Sequence, residues 1–494
     1  MNSDEKFESL DPENWGEMRE LAHRMVDDMM DYVSSARERP VWTPVPTDVA
    51  AQMDKPAPLK PEGPEAVYQQ FLANVLPYNL HTNHPRFWAW YMGSGTVMGA
   101  LADFLAASLN PNCGGINHVA PLVEQQVLDW IIEMIGFPED SSGLLTSGAS
   151  MANFTALTVA RNTHAGFDVR REGMLEAPGP LTVYASTEIH SCNQKAIETL
   201  GMGSAGLRHV PVKQDFTLDL EALDRQVAAD RDAGMVPLCV IATAGTINTG
   251  AIDDMNAIAD FCAREKLWFH VDGAIGAVAV LADNVREQLA GMERADSVAL
   301  DLHKWMHIPF EAGCVIVRDA SAHRDSFALV PEYLQKDPEG GGLASGKVWF
   351  SDYGLQLTRQ FRALKVWMSL KEHGLERYGR MIARNVEQAH YLAGLVKAEP
   401  ELELLAPPGL DIVCFRFYTN DLDTESANRL NKRLLIELQE GGLAAPSYTT
   451  LNGIYCLRAA ISNHRSRFED FDLMVAEIVR IGRRLSQQSF ITTR

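Results

Sequence analysis

Between residues 93 and 375 the chain carries short runs of β-prone, apolar residues that do not alternate with polar ones: 181–184, 238–243, 268–272, 297–300 and 313–317. A strand with one wet face alternates apolar and polar residues. An unbroken run is how a strand buried on both faces reads. Apolar helical stretches lie among these runs, at 99–109, 121–135 and 150–161. Buried strands that alternate with helices demand a mostly parallel α/β sheet with helices covering its faces. In such sheets ligands sit beyond the carboxyl ends of the strands.

The 494 residues are too many for one core. Three parts are expected: an N-terminal helical segment over 1–92, a large domain over 93–375 and a small α/β domain over 376–494. The first part shows Trp15, Met18, Leu21, Ala22, Met25, Val26, Met29 and Met30 at helical spacing, ending before Pro40. That apolar stripe needs a surface to cover it, within the chain or on a second subunit. A proline-rich connector follows over 55–64 and a short helix over 65–75. After 376 the order is helix, strand (411–417), helix, strand (455–460), helix. A glycine-rich loop spans 337–346.

A net charge of −21 and a pI near 5.1 set nucleic acid and anionic membrane aside as the main partners. No apolar run approaches the ~20 residues of a membrane span. The start, Met1-Asn-Ser-Asp-Glu-Lys6, is not a secretory signal. The seven cysteines stand singly, with no CxxC pair. Neither a disulfide framework nor a metal site is expected, and a reducing cytoplasm is the expected compartment.

Chemistry gathers at the strand ends. The 297–300 run leads into Asp301, His303 and Lys304 before Trp305. A lysine placed there either snorkels to water or is desolvated enough to act as a nucleophilic amine. The 268–272 run ends in Asp272, 32 residues before Lys304. A carboxylate and an amine at neighbouring strand ends can hold pyridoxal 5'-phosphate, the acid keeping the pyridine nitrogen protonated and the amine taking the aldehyde. A plain Asp–Lys salt bridge satisfies the same spacing. The run Leu144-Leu-Thr-Ser-Gly-Ala-Ser150 opens a helix and could cradle a phosphate, although Ser150 also suits a simple helix cap. His190 follows the 181–184 strand and could lie over a flat ring or at the surface. Thr243 and Thr246 end another strand and offer hydroxyls.

His190, the His270-Val-Asp272-Gly-Ala274 segment and Asp301-Leu-His303-Lys304-Trp305, in this order, resemble the group II pyridoxal-phosphate decarboxylases. That family includes the aromatic-L-amino-acid, glutamate and histidine decarboxylases. The resemblance covers nearly the whole chain. It implies the aspartate-aminotransferase-like fold of type I pyridoxal-phosphate enzymes, with a large mixed, mostly parallel sheet and a small C-terminal α/β domain. It also implies a homodimer with its active sites at the interface and the N-terminal helices on the partner. Carried over by residue, Lys304 holds the cofactor aldehyde, Asp272 pairs with the ring nitrogen and His190 stacks on the ring. Ala149, Ser150 and His303 would take the phosphate, with Thr246 and Ala274 beside the cofactor. Tyr333, in Pro331-Glu-Tyr333-Leu, resembles the tyrosine that returns a proton after carbon dioxide leaves. Arg458 resembles an arginine that pairs with the substrate carboxylate.

Departures from the family pattern include Ile247 in place of a second threonine, Gly93 in place of a threonine near the substrate, and the segment 114–118. The aromatic segment Phe87-Trp88-Ala-Trp90-Tyr91 corresponds to the lining of the side-chain pocket and favours an aromatic amino acid. The same rings suit an interface core. An acidic substrate would need a distal cation, for which Arg86 is the nearest candidate. The expected reaction is decarboxylation of an L-amino acid to its amine. An aldehyde-forming decarboxylase and a cofactor-free binding homologue are the other two readings.

Overall fold

The structure, a computed structural model, describes residues 9–329 and 342–492. Among the described residues, twelve strands form two sheets: β1 (Phe87–Trp88), β2 (Ser142–Thr146), β3 (Leu181–Ser186), β4 (Leu207–Val210), β5 (Val236–Thr243), β6 (Trp268–Asp272), β7 (Ser297–Asp301), β8 (Gly313–Val317), β9 (Leu402–Leu404), β10 (Ile412–Phe417), β11 (Ala445–Leu451) and β12 (Ile454–Ala460). The large sheet has the order β2-β8-β7-β6-β5-β3-β4, and its pairings are parallel except where β8 meets β2 and β7. It is thus the mixed, mostly parallel sheet expected. The central strands β6, β7 and β8 are buried along their whole length, which is why their sequences do not alternate.

Register decides where the chemistry lies. Thr243 pairs with Asp272, Asp272 with Ala299, and Asp301 with Gly313, which in turn faces Thr146 on β2. The carboxyl ends of β2, β5, β6 and β7 therefore line up along one edge of the sheet. The helix Ala149–His164 packs across β6, β7 and β8 and starts at that same edge. Its cap residue is Gly148, which makes no side-chain cap; the Ala149 N–H is taken by Asp301 Oδ1 instead. By contrast, the helix Leu220–Asp232 starts at Asp219, whose carboxylate accepts from the N–H groups of Glu221 and Ala222.

The small sheet has the order β1-β11-β12-β10-β9. Its core gathers Phe415, Phe417, Leu434, Phe471 and Ile478 beneath the helices Thr424–Glu440 and Phe468–Thr492. β1 comes from the N-terminal part of the chain and pairs in parallel with β11. Trp88 stacks on Phe471 with ring centroids 4.7 Å apart and donates its indole N–H to Ser466 Oγ at 3.0 Å. The N-terminal helix Trp15–Ser34 begins at Asn14, which caps the N–H groups of Gly16 and Glu17. It buries only Leu21, so most of its apolar stripe meets solvent in the single chain.

Candidate active site

A cavity of about 320 Å³ opens at the aligned strand ends. Its wall includes Lys304, Asp272, His190, Ser150, His303 and Thr243. Lys304, just past β7, and Asp272, the last residue of β6, thus face one space. Ala149, Ala274, Cys192 and Asp301 line it as well.

Lys304 sits just past β7, in a turn closed by its own N–H on Asp301 O at 3.4 Å and by His307 N–H on Lys304 O at 3.1 Å. Its Nζ is 3.1 Å from Asp301 Oδ2. Asp301 Oδ1 accepts the Ala149 N–H at 2.7 Å, so this carboxylate ties the lysine turn to the helix start. Gly93 lies beneath the turn. A Cβ there would stand 2.1 Å from His303 O and 2.4 Å from Lys304 O, so only glycine allows this approach.

Asp272 is almost fully buried and held by three donors. Asn193 Nδ2 reaches its Oδ2 at 2.8 Å, Asn153 Nδ2 reaches the same oxygen at 3.0 Å, and the Ala274 N–H reaches Oδ1 at 3.3 Å. Behind Asn153 runs a chain of buried groups. Trp268 Nε1–H can only donate, and does so to Ser297 Oγ at 2.8 Å. The Ser297 hydroxyl is then free to donate to His270 Nδ1 at 2.8 Å, and His270 Nε2–H to Asn153 Oδ1 at 2.8 Å. Burial pushes the His270 pKa down to about 4, so the ring is neutral, as this donor order requires. Because the chain donates to Asn153 Oδ1, it turns the Asn153 amide so that Nδ2 faces Asp272.

His190 caps the helix Ser191–Thr199, its Nδ1 accepting the Cys192 N–H at 3.2 Å. That bond leaves the proton on Nε2 in the neutral ring. Desolvation lowers its pKa, against the pull of Asp272. The His303 ring lies against Gly148 at the helix start, its Nδ1 taking the Ala312 N–H at 3.2 Å. Cys192 is no reactive thiol, because burial raises its pKa to about 11.

Several expected residues sit elsewhere. Thr246 is fully buried and spends its hydroxyl on Thr249 Oγ1 at 2.9 Å and the Ala251 N–H at 3.1 Å. It does not line the cavity; Thr243 does, and its Oγ1 is buried without a partner in the protein. Arg458, Trp90 and Tyr91 are not on this wall either. Arg458 is buried in the small sheet and donates to Trp90 O at 2.6 Å and to Asn248 O at 3.2 Å, while its Nη2 has no partner. Tyr91 is buried, with its hydroxyl on Asp411 Oδ2 at 2.8 Å. Trp90 is 54% exposed and borders a separate groove with Ile436 and Tyr448. Arg86 is tied to Leu443 O at 2.6 Å and lies 3.5 Å from Asp470. Tyr333 lies outside the described residues.

The wall fits pyridoxal phosphate. It offers a donor-held carboxylate, an amine, a helix start with small residues and an unpartnered hydroxyl. Residues 46–418 match the pyridoxal-dependent decarboxylase conserved domain. The chain belongs to the pyridoxal-dependent decarboxylase family. It is 32% identical to the aromatic-L-amino-acid decarboxylase of Bacillus atrophaeus over 474 residues, covering 95% of this chain and 96% of that one. It is 28% identical to phenylacetaldehyde synthase of Petunia hybrida over 483 residues, covering 94% and 93% of the two chains. Among solved structures, Oryza sativa TDC with PLP and tryptamine superposes with a TM-score of 0.89 at 27% identity, covering 97% of this chain and all of that one. The decarboxylase is thus a pyridoxal-phosphate-dependent carboxy-lyase of the type I fold.

Asn153, Asn193 and Asp301 escaped the sequence reading as working residues. A signal was present for Asn153, an amide beside Ala152 and Ala156 on a helix face of small residues, where a polar side chain must find a partner.

Proposed function

We propose that this decarboxylase converts an aromatic L-amino acid to its amine and carbon dioxide. The observation that carries the reading is the convergence of Lys304, Asp272 and His190 on one cavity. When bound, pyridoxal phosphate supplies an electron sink for the pair left as carbon dioxide departs. Lys304 would anchor the cofactor and Asp272, oriented by its three donors, would pair with the ring nitrogen. Ser150, His303 and the helix start hold the phosphate, and Ala149 serves indirectly, because its N–H is already used by Asp301. Tyr333, or else His190 with its Nε2 proton, returns a proton to the α-carbon.

Aromatic preference draws support from the Bacillus atrophaeus relative and from the tryptamine bound in the Oryza sativa structure. An acidic substrate is less suited, since Arg86 is engaged by Leu443 and Asp470. The likeness to phenylacetaldehyde synthase keeps aldehyde formation as the second reading.

Two copies form the working unit in this reading. Phe104 and Leu109 are exposed on the helix Val97–Leu109, Val119 and Leu122 on the helix Val119–Ile135, and both helices pack against Arg362–His373; Phe310, also exposed, has its ring 4.7 Å from that of His303 in the site. A second subunit would cover this apolar surface, and Arg458 and Trp90 would serve the substrate only with that subunit in place. The division at residues 92 and 375 belongs to the same reading, with the first part lending β1 to the small sheet. All seven cysteines are free, which suits a reducing cytoplasm.

The test pairs spectroscopy with product analysis. The purified protein should show the visible absorption of bound cofactor, and Lys304→Ala should lose it together with activity. Carbon dioxide, amine, aldehyde, ammonia and peroxide are then measured on a panel of aromatic and acidic amino acids. Amine from the aromatic members alone is expected. Equal turnover of glutamate, or aldehyde as the main product, would reject this reading.

A further inference from the structure

A second cavity, of about 330 Å³, shares no lining residue with the first. It is lined by Thr96, His307, His373, His464, Tyr378, Met381 and the three arginines Arg377, Arg380 and Arg384. His307 and Tyr378 are buried to 1% and 3% exposure, and both His307 Nε2 and the Tyr378 hydroxyl lack a partner. His307 Nδ1 accepts the Ser94 N–H at 3.2 Å, so in the neutral ring the proton sits on the unpartnered Nε2. His464 Nε2 is 3.3 Å from Gly95 O, which makes that nitrogen a donor, and its ring lies 4.7 Å from that of His307.

The wall is therefore made of donors and cations. Among the described residues, carboxylates approach it only at the rim, where Glu376 lies 3.6 Å from Arg380 and Glu372 lies 3.4 Å from His373. Neither Arg377 nor Arg384 has a carboxylate partner there; Arg377 leans on His373 Nδ1 at 3.4 Å and Arg384 on the Phe468 ring. Arg465, behind His464, is spent on the carbonyls of Ser94 and Gly95. The field is felt by the histidines: besides desolvation, Arg465, His373 and Arg377 all push the His464 pKa down. Two buried donors without acceptors, beside arginines without counter-charges, leave the cavity short of negative charge.

We propose that this cavity binds a small phosphate-type anion, free or as a monoester, with Arg377 and Arg384 gripping it at the mouth and His307 and Tyr378 donating from the floor. Fork-shaped guanidinium groups match such oxyanions, and the volume suits a phosphate with a small substituent. His307 lies three residues beyond Lys304, so an occupant here would rest against the far side of the turn that carries the lysine.

The test uses the cofactor-loaded protein, in which the phosphate cradle of the active site is already filled. Inorganic phosphate is titrated by calorimetry in a buffer without other multivalent anions, and glycerol 1-phosphate in a second run. At least one should bind saturably at one site per chain. Arg377→Gln with Arg384→Gln should weaken that binding about tenfold or more, as expected for losing charged hydrogen bonds, while cofactor absorbance and melting temperature stay at parental values. Tyr378→Phe tests the floor separately and should also weaken binding. Which of the two anions binds more tightly distinguishes free from esterified phosphate. No saturable binding of either, or equal affinity in parent and double variant, overturns the proposal. Because no residue lines both cavities, that failure would leave the decarboxylase reading untouched.

Discussion

Asp272 is the residue on which the site turns, and its surroundings show what a buried carboxylate requires. Two amides and a backbone N–H offset the cost of taking it out of water. Removing one should loosen the acid's hold on the ring nitrogen. Asn193→Leu is expected to weaken cofactor binding roughly tenfold, the usual scale for a hydrogen bond to a charged group. Titration of apoprotein with pyridoxal phosphate measures this, and unchanged affinity would remove Asn193 from the supporting set. Gly93 offers a second test at this scale. In Gly93→Ala the new methyl must displace the His303 and Lys304 carbonyls, a strain of about 1–3 kcal/mol. Both melting temperature and cofactor occupancy should fall. Lys304 and Asp272 were legible in the sequence as groups at the carboxyl ends of buried strands, whereas His190 was assigned a role only through the family resemblance. Thr246 was misplaced for a reason sequence cannot carry: a turn can fold its own hydroxyl inward, and here it does, leaving Thr243 to face the cavity.

Elements hold the site through contacts far along the chain. Arg359 and Glu124, each with a side chain about 1% exposed, form a buried pair at 2.6 Å. Glu124 also accepts the Leu145 N–H at 3.2 Å, and Arg359 donates to Leu145 O at 2.7 Å. The helix Val119–Ile135, strand β2 and the segment around residue 359 are thereby pinned beside the helix start that faces the cavity. Removing one partner leaves an uncompensated buried charge. Glu124→Leu should cost about 3–5 kcal/mol, and adding Arg359→Met should recover much of it. Urea unfolding of the two variants checks both signs. The strands recognised from sequence were those buried on both faces. β2 and β4 escaped because Ser-Gly-Leu-Leu-Thr and Leu-Arg-His-Val carry too few apolar residues, and both lie at the edges of the sheet. β11 escaped because Ala-Pro-Ser-Tyr-Thr-Thr-Leu carries a proline and few apolar residues.

For the whole molecule, proton binding sets the acid limit. His84, His270 and His323 are held down to about 4 by burial, and His303 and His307 are lowered too. Unfolding returns each toward the usual histidine value near 6.5, so the unfolded chain takes up protons as pH falls from there to about 4. Stability is lost across that window. Asp253, Asp296 and Asp411 act in the opposite sense, since burial raises them, Asp253 to about 6 and Asp411 to about 7. The histidines outnumber them, and the melting temperature should fall between pH 6.5 and 4; a flat or rising profile would contradict this balance. Assembly is tested by Phe104→Asp with Leu109→Asp. If a second copy covers that surface, the variant should sediment as a monomer and lose activity while keeping its fold. The sequence alone determined the α/β class and set Asp272 and Lys304 at the ends of buried strands, because burial periodicity is a local property of the chain. Only the tertiary structure decided which hydroxyl lines the cavity, that Asn153 and Asn193 donate to Asp272, and that the rings of Phe87, Trp88 and Tyr91 belong to cores. Those outcomes depend on how elements distant in sequence pack together; for Thr243, Phe87 and Trp88, which lie on strands, a one-residue change of register would turn the side chain to the other face.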